Sequence, residues 1–564
     1  MRSGGQVVVA WLEQQAVERI FCVPGESYLP VLDALHDSCV ETVVARHEGG
    51  AAMMAEAHGK LTGRPGVVIV TRGPGATNAA SGVHVAHQDS TPLVLLVGQV
   101  GRDMIGRDAF QEVDYRQTFG GIAKWVEQID RVDRIPEVLS HAWHVAMSGR
   151  PGPVIVALPE DVLREQTAVG TGGFVQAADS GPTDAQLDAL EERILCAHRP
   201  MVVVGGSRWD AATTQKLSNW AQRWQLPIAA SFRRQQLLDH ADPHYVGDVG
   251  LAINPNLAAR VGASDLLILL GGRFSENPSQ GFALLDIPEP AHHLVHIHPG
   301  SEELGRVYRP DLAICATPGA FLTAALARPE TPLSVQKETA ASGVADQRAS
   351  HVIQAREDYL AWSSNPPASP GAMQLGEVVT HLNQCLPHNA IVTNGAGNYA
   401  GWFHRYYRYG GYGTQLAPVS GSMGYGLPAA IAAKVQEPER TVVCVAGDGC
   451  FQMTGQELAC AVQTGVNIIV LVIDNGMYGT IRMHQEGNYP GRVSATNLLN
   501  PDFVALAQAY GAYAEQVASA RDFPVALERA QGSGKPALLH LRLDPEAISV
   551  TSTLSEIRQR AQNR

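Results

Sequence analysis

The chain lacks the features that would tie it to a nucleic acid, a membrane or an oxidising compartment. Its 42 Lys and Arg are outnumbered by 55 Asp and Glu, a formal net charge of −13 at pH 7. Such a surface repels a phosphate backbone, so a nucleic-acid partner is excluded as a class. No apolar run approaches the roughly 20 residues of a membrane-spanning helix, so no membrane partner is expected. The N-terminus, MRSGGQVVVAWLEQQ, meets Glu13 early and has no small-residue cleavage site, so it does not read as a signal peptide. The 8 cysteines are scattered without a CxxC pair. Cys315, Cys444 and Cys460 sit among apolar neighbours, as reduced thiols of a cytoplasmic protein do. Residues 185–330 contain no GxGxxG, the usual fingerprint for a dinucleotide.

What remains is an ordinary globular composition, 45% hydrophobic and 17% charged, spread over 564 residues. That length exceeds one core and calls for two to four domains. Strand and helix signals alternate over 1–165, 185–330 and 371–545, which predicts three doubly wound α/β domains with parallel sheets. The Gly-, Ser- and Thr-rich stretch 165–184 and the polar, Pro- and Ser-containing stretch 331–370 read as linkers. Residues 546–564 read as a polar terminal helix or tail, placed to lie over the active site.

One segment organises the rest. Thr441–Ala446 is a buried strand closed by Gly447-Asp448-Gly449. A helix over Gln456–Thr464 follows, and a second buried strand, Val466–Ile473, is closed by Asp474-Asn475-Gly476. In a βαβ unit both loops lie on the same edge of a parallel sheet, where ligands bind. Asp448 and Asn475 offer hard oxygen ligands suited to Mg²⁺, and the glycines let backbone N–H groups approach a diphosphate. Either tripeptide alone reads equally well as a turn. The pair, closing two buried strands of one unit, does not.

This segment resembles the signature of thiamine diphosphate-dependent enzymes, in which Gly-Asp-Gly is followed by Asn-Asn; here the pair reads Asp474-Asn475. The resemblance implies that Asp448, the Asn475 side chain and the Met477 carbonyl bind Mg²⁺, with Gly447, Gly449, Tyr478 and Gly479 around the cofactor. Asn394-Gly395-Ala396-Gly397-Asn398-Tyr399 resembles the family's first diphosphate loop, with Asn398 and Tyr399 in place of Gln-His as hydrogen-bond donors beside Gly397. Ser420 to Pro428, SGSMGYGLP, resembles the stretch around Gly421 that sets a bulky apolar side chain, here Met423, beneath the cofactor and bends it. A methionine between glycines is otherwise core filler.

Residues 46–99 resemble the pyrimidine-binding domain of the acetolactate synthase branch. The resemblance gives Glu48 the role of the glutamate that hydrogen-bonds the aminopyrimidine and activates the cofactor, and a buried carboxyl of raised pKa suits it. Asp108-Ala109-Phe110-Gln111-Glu112 and Lys124 fall on that branch's substrate-channel positions. As residues alone they read equally as a surface loop. Glu26 replaces a family glycine; pointing inward, it would set a second carboxylate near the site, which either repels an anionic oxo acid or needs a cationic partner. Gly271-Gly272-Arg273-Phe274 resembles the branch's flavin-binding motif, so the resemblance offers FAD in residues 185–330 as one reading; Ser275-Glu276-Asn277 and His298 depart from it and favour the other, an empty or differently occupied central domain. His484 stands where the branch has an acceptor-selecting Trp. It is a pocket group or a helix-surface residue. The whole resemblance implies a homodimer or homotetramer in which a 2-oxo acid donates an acyl group to an aldehyde or oxo acid acceptor. The alternatives are a simple decarboxylase releasing aldehyde, an acyl-CoA lyase, or a non-enzymatic thiamine diphosphate-binding protein.

Overall fold

The computed structural model describes residues 1–329 and 344–563. They form three six-stranded sheets in which every pairing is parallel, and a two-stranded antiparallel pair, Arg2–Ser3 with Gln166–Thr167. In the first sheet the strands are, in chain order, Arg19–Cys22, Glu41–Val44, Gly66–Val70, Leu93–Gln99, Trp125–Gln128 and Pro153–Pro159, and their spatial order is 2-1-3-4-6-5. In the third they are Ile391–Asn394, Gln415–Leu416, Val442–Gly447, Ile469–Asp474, Tyr513–Val517 and Ala537–Arg542, and the spatial order is again 2-1-3-4-6-5. The central sheet, from Pro200–Val204 to Leu312–Cys315, has the order 3-2-1-4-5-6.

The strands are near-continuous apolar runs because both faces are covered. Along Gly66–Val70, Val67 and Ile69 point into one core and Val68 and Val70 into another. Along Val442–Gly447, Val443 and Val445 face a third core, whereas Val442, Cys444 and Ala446 join the core that holds Val68 and Val70. The first and third domains therefore share one hydrophobic layer, filled by helices Glu48–Thr62 and Gly426–Gln436. A buried polar cluster pins the same joint. Lys60 Nζ contacts Glu56 at 3.1 Å, pairs with Asp89 and donates to the Ala417 carbonyl at 3.1 Å. Tyr425 donates to Glu56, and Asp89 accepts the Val419 N–H at 2.8 Å.

The helix Glu48–Thr62 starts where the His47 ring accepts the Gly49 N–H at 3.0 Å and caps it. One expectation about the layout needs correction. The stretch 331–370 is not all linker. Val344–Trp362 is a 19-residue helix, held in part by Arg260 on Asp358 at 2.6 Å, whereas 330–343 lies outside the described residues. The terminal segment does form a helix, Leu554–Gln562, packed on Gly479–Asn488. Among the described residues no helix is long and apolar enough to cross a membrane.

Candidate active site

A cavity of about 1120 Å³ opens at the carboxyl edge of the third sheet. Gly397, Asn398 and Tyr399 line it after the first strand, Gly421 and Met423 after the second, and Gly447, Asp448 and Gly449 after the third. Asn475, Met477, Tyr478, Gly479 and His484 complete that side, and Ile557 and Arg560 of the terminal helix lie across it. Its far wall comes from the central domain, including Arg233, Asp248 and Asn277. None of its lining residues belongs to the first domain.

Asp448 is buried at the start of a short helical turn. Its Oδ1 accepts the Gly449 N–H at 2.9 Å, and its Oδ2 accepts Asn500 Nδ2 at 2.7 Å. The same Asn500 amide bonds Asp474 Oδ1 at 2.7 Å, so one amide ties the two loops together. Burial, with Asp474 beside it, pushes the Asp448 carboxyl up to about 6. Burial also acts on Asp474, but His540 at 2.9 Å and the Gly476 N–H outweigh it and hold that carboxyl low. A buried and a half-buried carboxylate with an amide between them suit a divalent cation. The Asn475 amide lies over Gly479, where a Cβ would come within 3.0 Å of it. Met477 is fixed by an antiparallel bridge to Asn497, flanked by Tyr478 N–H to Thr496 O at 2.8 Å. Among the described residues there is no cluster of three His, Cys, Asp or Glu, so a metal here rests on carboxylate, amide and carbonyl oxygens.

The glycine cradle passes the same test of fit. A Cβ on Gly449 would stand 2.7 Å from the Tyr478 ring, and one on Gly447 would stand 3.0 Å from the Tyr399 ring, so the loop backbone stays bare for a bulky anion. Met423 packs on the third-domain core with its side toward the cavity. Asn398 and Tyr399 line the cavity, but their named hydrogen bonds go to the protein. Asn398 accepts from Thr480 at 2.9 Å and donates to the Ile548 carbonyl at 3.0 Å, and Tyr399 donates to Cys450 Sγ at 3.4 Å. His484 is exposed on the rim, at its helix surface.

Glu48 is elsewhere in the chain. It begins its helix half-buried, accepting Asn78 Nδ2 at 3.0 Å beside Gly75, so the full burial expected of it is not met within one chain. Around it, at the carboxyl edge of the first sheet, stand Arg72, Phe110 and Gln111. Arg72 bonds Glu26 at 3.1 Å, which is the cationic partner that Glu26 calls for. Gln111 lies against Gly73, and Phe110 is 74% exposed with its carbonyl held by Arg72. Lys124 is not among them. It precedes the strand Trp125–Gln128 at the sheet's amino edge, where its N–H bonds the Pro153 carbonyl. Its ammonium, on the exposed side of that edge, donates to the Val145 and Ser148 carbonyls. The resemblance implied that Lys124 joins Phe110 and Gln111 at the substrate channel, but an intervening helical turn, Tyr115–Phe119, carries the chain to the opposite edge.

Residues the sequence did not single out hold this edge together. Glu457, fully buried, accepts the Arg46 N–H with both oxygens at 3.1 and 3.0 Å, and burial pushes its carboxyl up to about 7. Only a glycine at 50 clears it, since a Cβ there would meet Glu457 Oε1 at 2.5 Å. Asn500 and His540 lie far from the motif in sequence and carried no local signal. At the central sheet, the Gly205-Gly206 and Gly271-Gly272 loops of the switch point touch each other. A Cβ on Gly206 would lie 1.8 Å from the Gly271 carbonyl. Arg273 donates to the Gln88 carbonyl at 2.7 Å and Ser207 bonds the Asp89 carbonyl at 3.2 Å, so the first domain caps that crevice. The adjoining cavity is about 30 Å³.

Three doubly wound domains, with an acid on one sheet edge and a glycine-lined acidic cradle on another, define a class. The chain belongs to the thiamine pyrophosphate enzyme family, matching its N-terminal TPP binding domain over 2–118, its central domain over 187–325 and its C-terminal TPP binding domain over 395–541. Within that family it is acetolactate synthase-like. It is 34% identical over 530 residues to an acetolactate synthase large subunit of Parasynechococcus marenigrum, covering 90% of this chain and 82% of the relative. It is 31% identical over 547 residues to the acetolactate synthase isozyme 2 large subunit of Escherichia coli, covering 96% of each. It is 32% identical over 532 residues to the acetolactate synthase large subunit of Lactococcus lactis, covering 90% of this chain and 87% of the relative.

Proposed function

We propose that the chain is a thiamine diphosphate- and Mg²⁺-dependent 2-oxo acid decarboxylase/carboligase, and that each of its sites is made by two copies. The observation that carries this reading is the division of the parts. The third-domain cradle opens into a cavity without a first-domain residue, and Glu48 stands on the matching edge of the first sheet. One chain carries both parts at separate places, and a twofold pairing of copies would bring each part against its counterpart from the other chain. At least a homodimer is expected.

When bound, thiamine diphosphate supplies the electron sink for breaking and making bonds beside a carbonyl. Asp448, Asn475 and the Met477 carbonyl would hold the Mg²⁺ against the diphosphate, and Met423 would support the ring system. Glu48 would exchange a proton with the aminopyrimidine. The terminal helix over the cavity rim would keep water from the reacting carbon. Carboligation is favoured over simple proton quench because the cavity extends from Asp448 to Asn277, ample room for a second substrate beside the cofactor. FAD enters no step. The glycine loops that would cradle its phosphates pack on each other, and the first domain covers them.

A panel of 2-oxo acids, alone and with aldehyde or oxo acid acceptors, tests the reading. Coupled products identified by mass spectrometry, dependent on thiamine diphosphate and Mg²⁺, are expected. Aldehyde alone from every donor would make it a decarboxylase, and no consumption would end the proposal.

A further inference from the structure

The cavity wall supplied by the central domain holds a buried cation that no carboxylate pairs with. Arg233 follows the central-sheet strand Ile228–Ser231 and is 5% exposed. Its backbone sits at φ 57, a left-handed conformation uncommon for a residue other than glycine. The guanidinium lies 4.9 Å from the Phe232 ring, and Nη1 donates to the Pro418 carbonyl at 2.6 Å. Its Nε is buried and has no hydrogen-bond partner, and no carboxylate stands within ion-pair distance, among the described residues. By contrast, the buried Arg72 pairs with Glu26 at 3.1 Å. A buried arginine without a counter-charge is costly unless an anion arrives.

Two further polar atoms are left open on the same wall. Ser420 Oγ and His404 Nε2 are buried without partners among the described residues, and both residues line the cavity with Arg233. Burial, and then the nearby Arg233, lower His404 to about 3, so its ring is a neutral donor or acceptor. The one acid on this wall is Asp248, whose carboxyl accepts Gln235 Nε2 at 3.2 Å. Burial raises it to about 7. The acid that acts on Arg233 is Asp89, which is itself taken by Lys60 and the Val419 N–H and makes no ion pair with Arg233.

We infer that Arg233, with Ser420 and His404 beside it, seats a substrate carboxylate that passes through the reaction unchanged. This deepens, and rests on, the reading that oxo acids are the substrates. The departing carboxylate of the donor is the wrong guest. A cation bound to it would stabilise the ground state and lose its partner as CO₂ forms, so the interaction would oppose the step. A carboxylate that survives has two sources: the acceptor oxo acid, or a second acid group on a dicarboxylic donor. Either gains a charge-assisted, bidentate hold that a neutral aldehyde lacks.

The test uses the holoenzyme and its Arg233→Met and Arg233→Lys variants, with melting temperatures taken to check folding. Thiamine diphosphate affinity is measured by calorimetry, and so is binding of oxamate, an unreactive oxo acid analogue. Kinetics follow with an oxo acid acceptor, a neutral aldehyde acceptor and a dicarboxylic donor. For Arg233→Met, KM for the carboxylate-retaining substrate rises about 100-fold or more, and oxamate binding is lost. The neutral-acceptor reaction and cofactor affinity change by less than about threefold, and Arg233→Lys recovers part of the loss. Whichever of the acceptor or dicarboxylic arms shows the KM rise names the source. A tenfold or greater loss of cofactor affinity would assign Arg233 to the diphosphate and overturn the inference, as would equal losses for aldehyde and oxo acid. If the unmodified enzyme consumes no oxo acid yet binds oxamate through Arg233, the proposed function fails and the anion seat stands.

Discussion

The first and third sheets share the strand order 2-1-3-4-6-5, yet their carboxyl edges are furnished in opposite ways. The third edge is glycine and acid: Gly397, Gly447 and Gly449 around Asp448, bare backbone for an anion and oxygens for a cation. The first edge is side chains: Glu48 with Asn78, Arg72 with Glu26, and Gln111 against Gly73. On the proposed reading, one edge would hold the cofactor and the other would act on it. Within one chain the two domains share a core, and the large cavity is lined from the third edge and not from the first. The lesson is that fold alone does not set the role of an edge; the residues at its strand ends do.

The contrast can be broken from either side. On the holding edge, Asp448→Ala removes the carboxylate and should abolish Mg²⁺-dependent cofactor binding, checked by calorimetry. On the acting edge, Glu48→Gln should leave the cofactor bound while turnover falls by about 10²- to 10⁴-fold, the usual worth of a general acid–base group. Equal loss of binding in both variants would erase the division. The joint between the edges comes next. Lys60→Met leaves Glu56 and Asp89 buried without their cation, a loss of roughly 3–5 kcal/mol, read as a lowered denaturation midpoint with both domains affected together.

The smallest effect is at the rim. Arg558 bonds the buried Glu486 with two contacts of 2.8 Å, and Arg482 adds one at 3.1 Å. Arg558 above all holds the Glu486 carboxyl down from 4.5 to about 2. A depressed acid stabilises above its unfolded value, so this clamp is intact above about pH 4.5 and fades as pH falls toward 2. Glu486→Gln should loosen residues 554–562 by roughly 1–3 kcal/mol, the range for lost hydrogen bonds to charged groups, seen as faster amide exchange there with the rest of the fold unchanged.

Much of this was legible in the residues. Strands such as Val442–Gly447 and Leu93–Gln99 are unbroken apolar runs ended by glycine or a polar residue, so their positions and the loops after them follow from pattern alone. Asp448, Asn475 and Met423 could be singled out because their chemistry is local to a loop, and all three line the cavity. Lys124 was misplaced because a match to a family position does not say which sheet edge the chain has reached. Asn500, His540 and Glu457 were missed because they act across tens or hundreds of residues on groups that the fold alone brings near. Arg233 carried no motif. Its meaning lies in what is not around it, which only packing reveals.

Mixing the two inactive variants measures the central claim. A dimer pairing a Glu48→Gln chain with an Asp448→Ala chain has one doubly defective site and one with both residues intact. Co-expressed and assembled at random, half the dimers are such hybrids, so about a quarter of unmodified activity should return if each site draws on two chains. Activity no higher than that of either parent variant, with hybrid dimers verified by mass, would place Glu48 and Asp448 in the same chain's site and contradict the account.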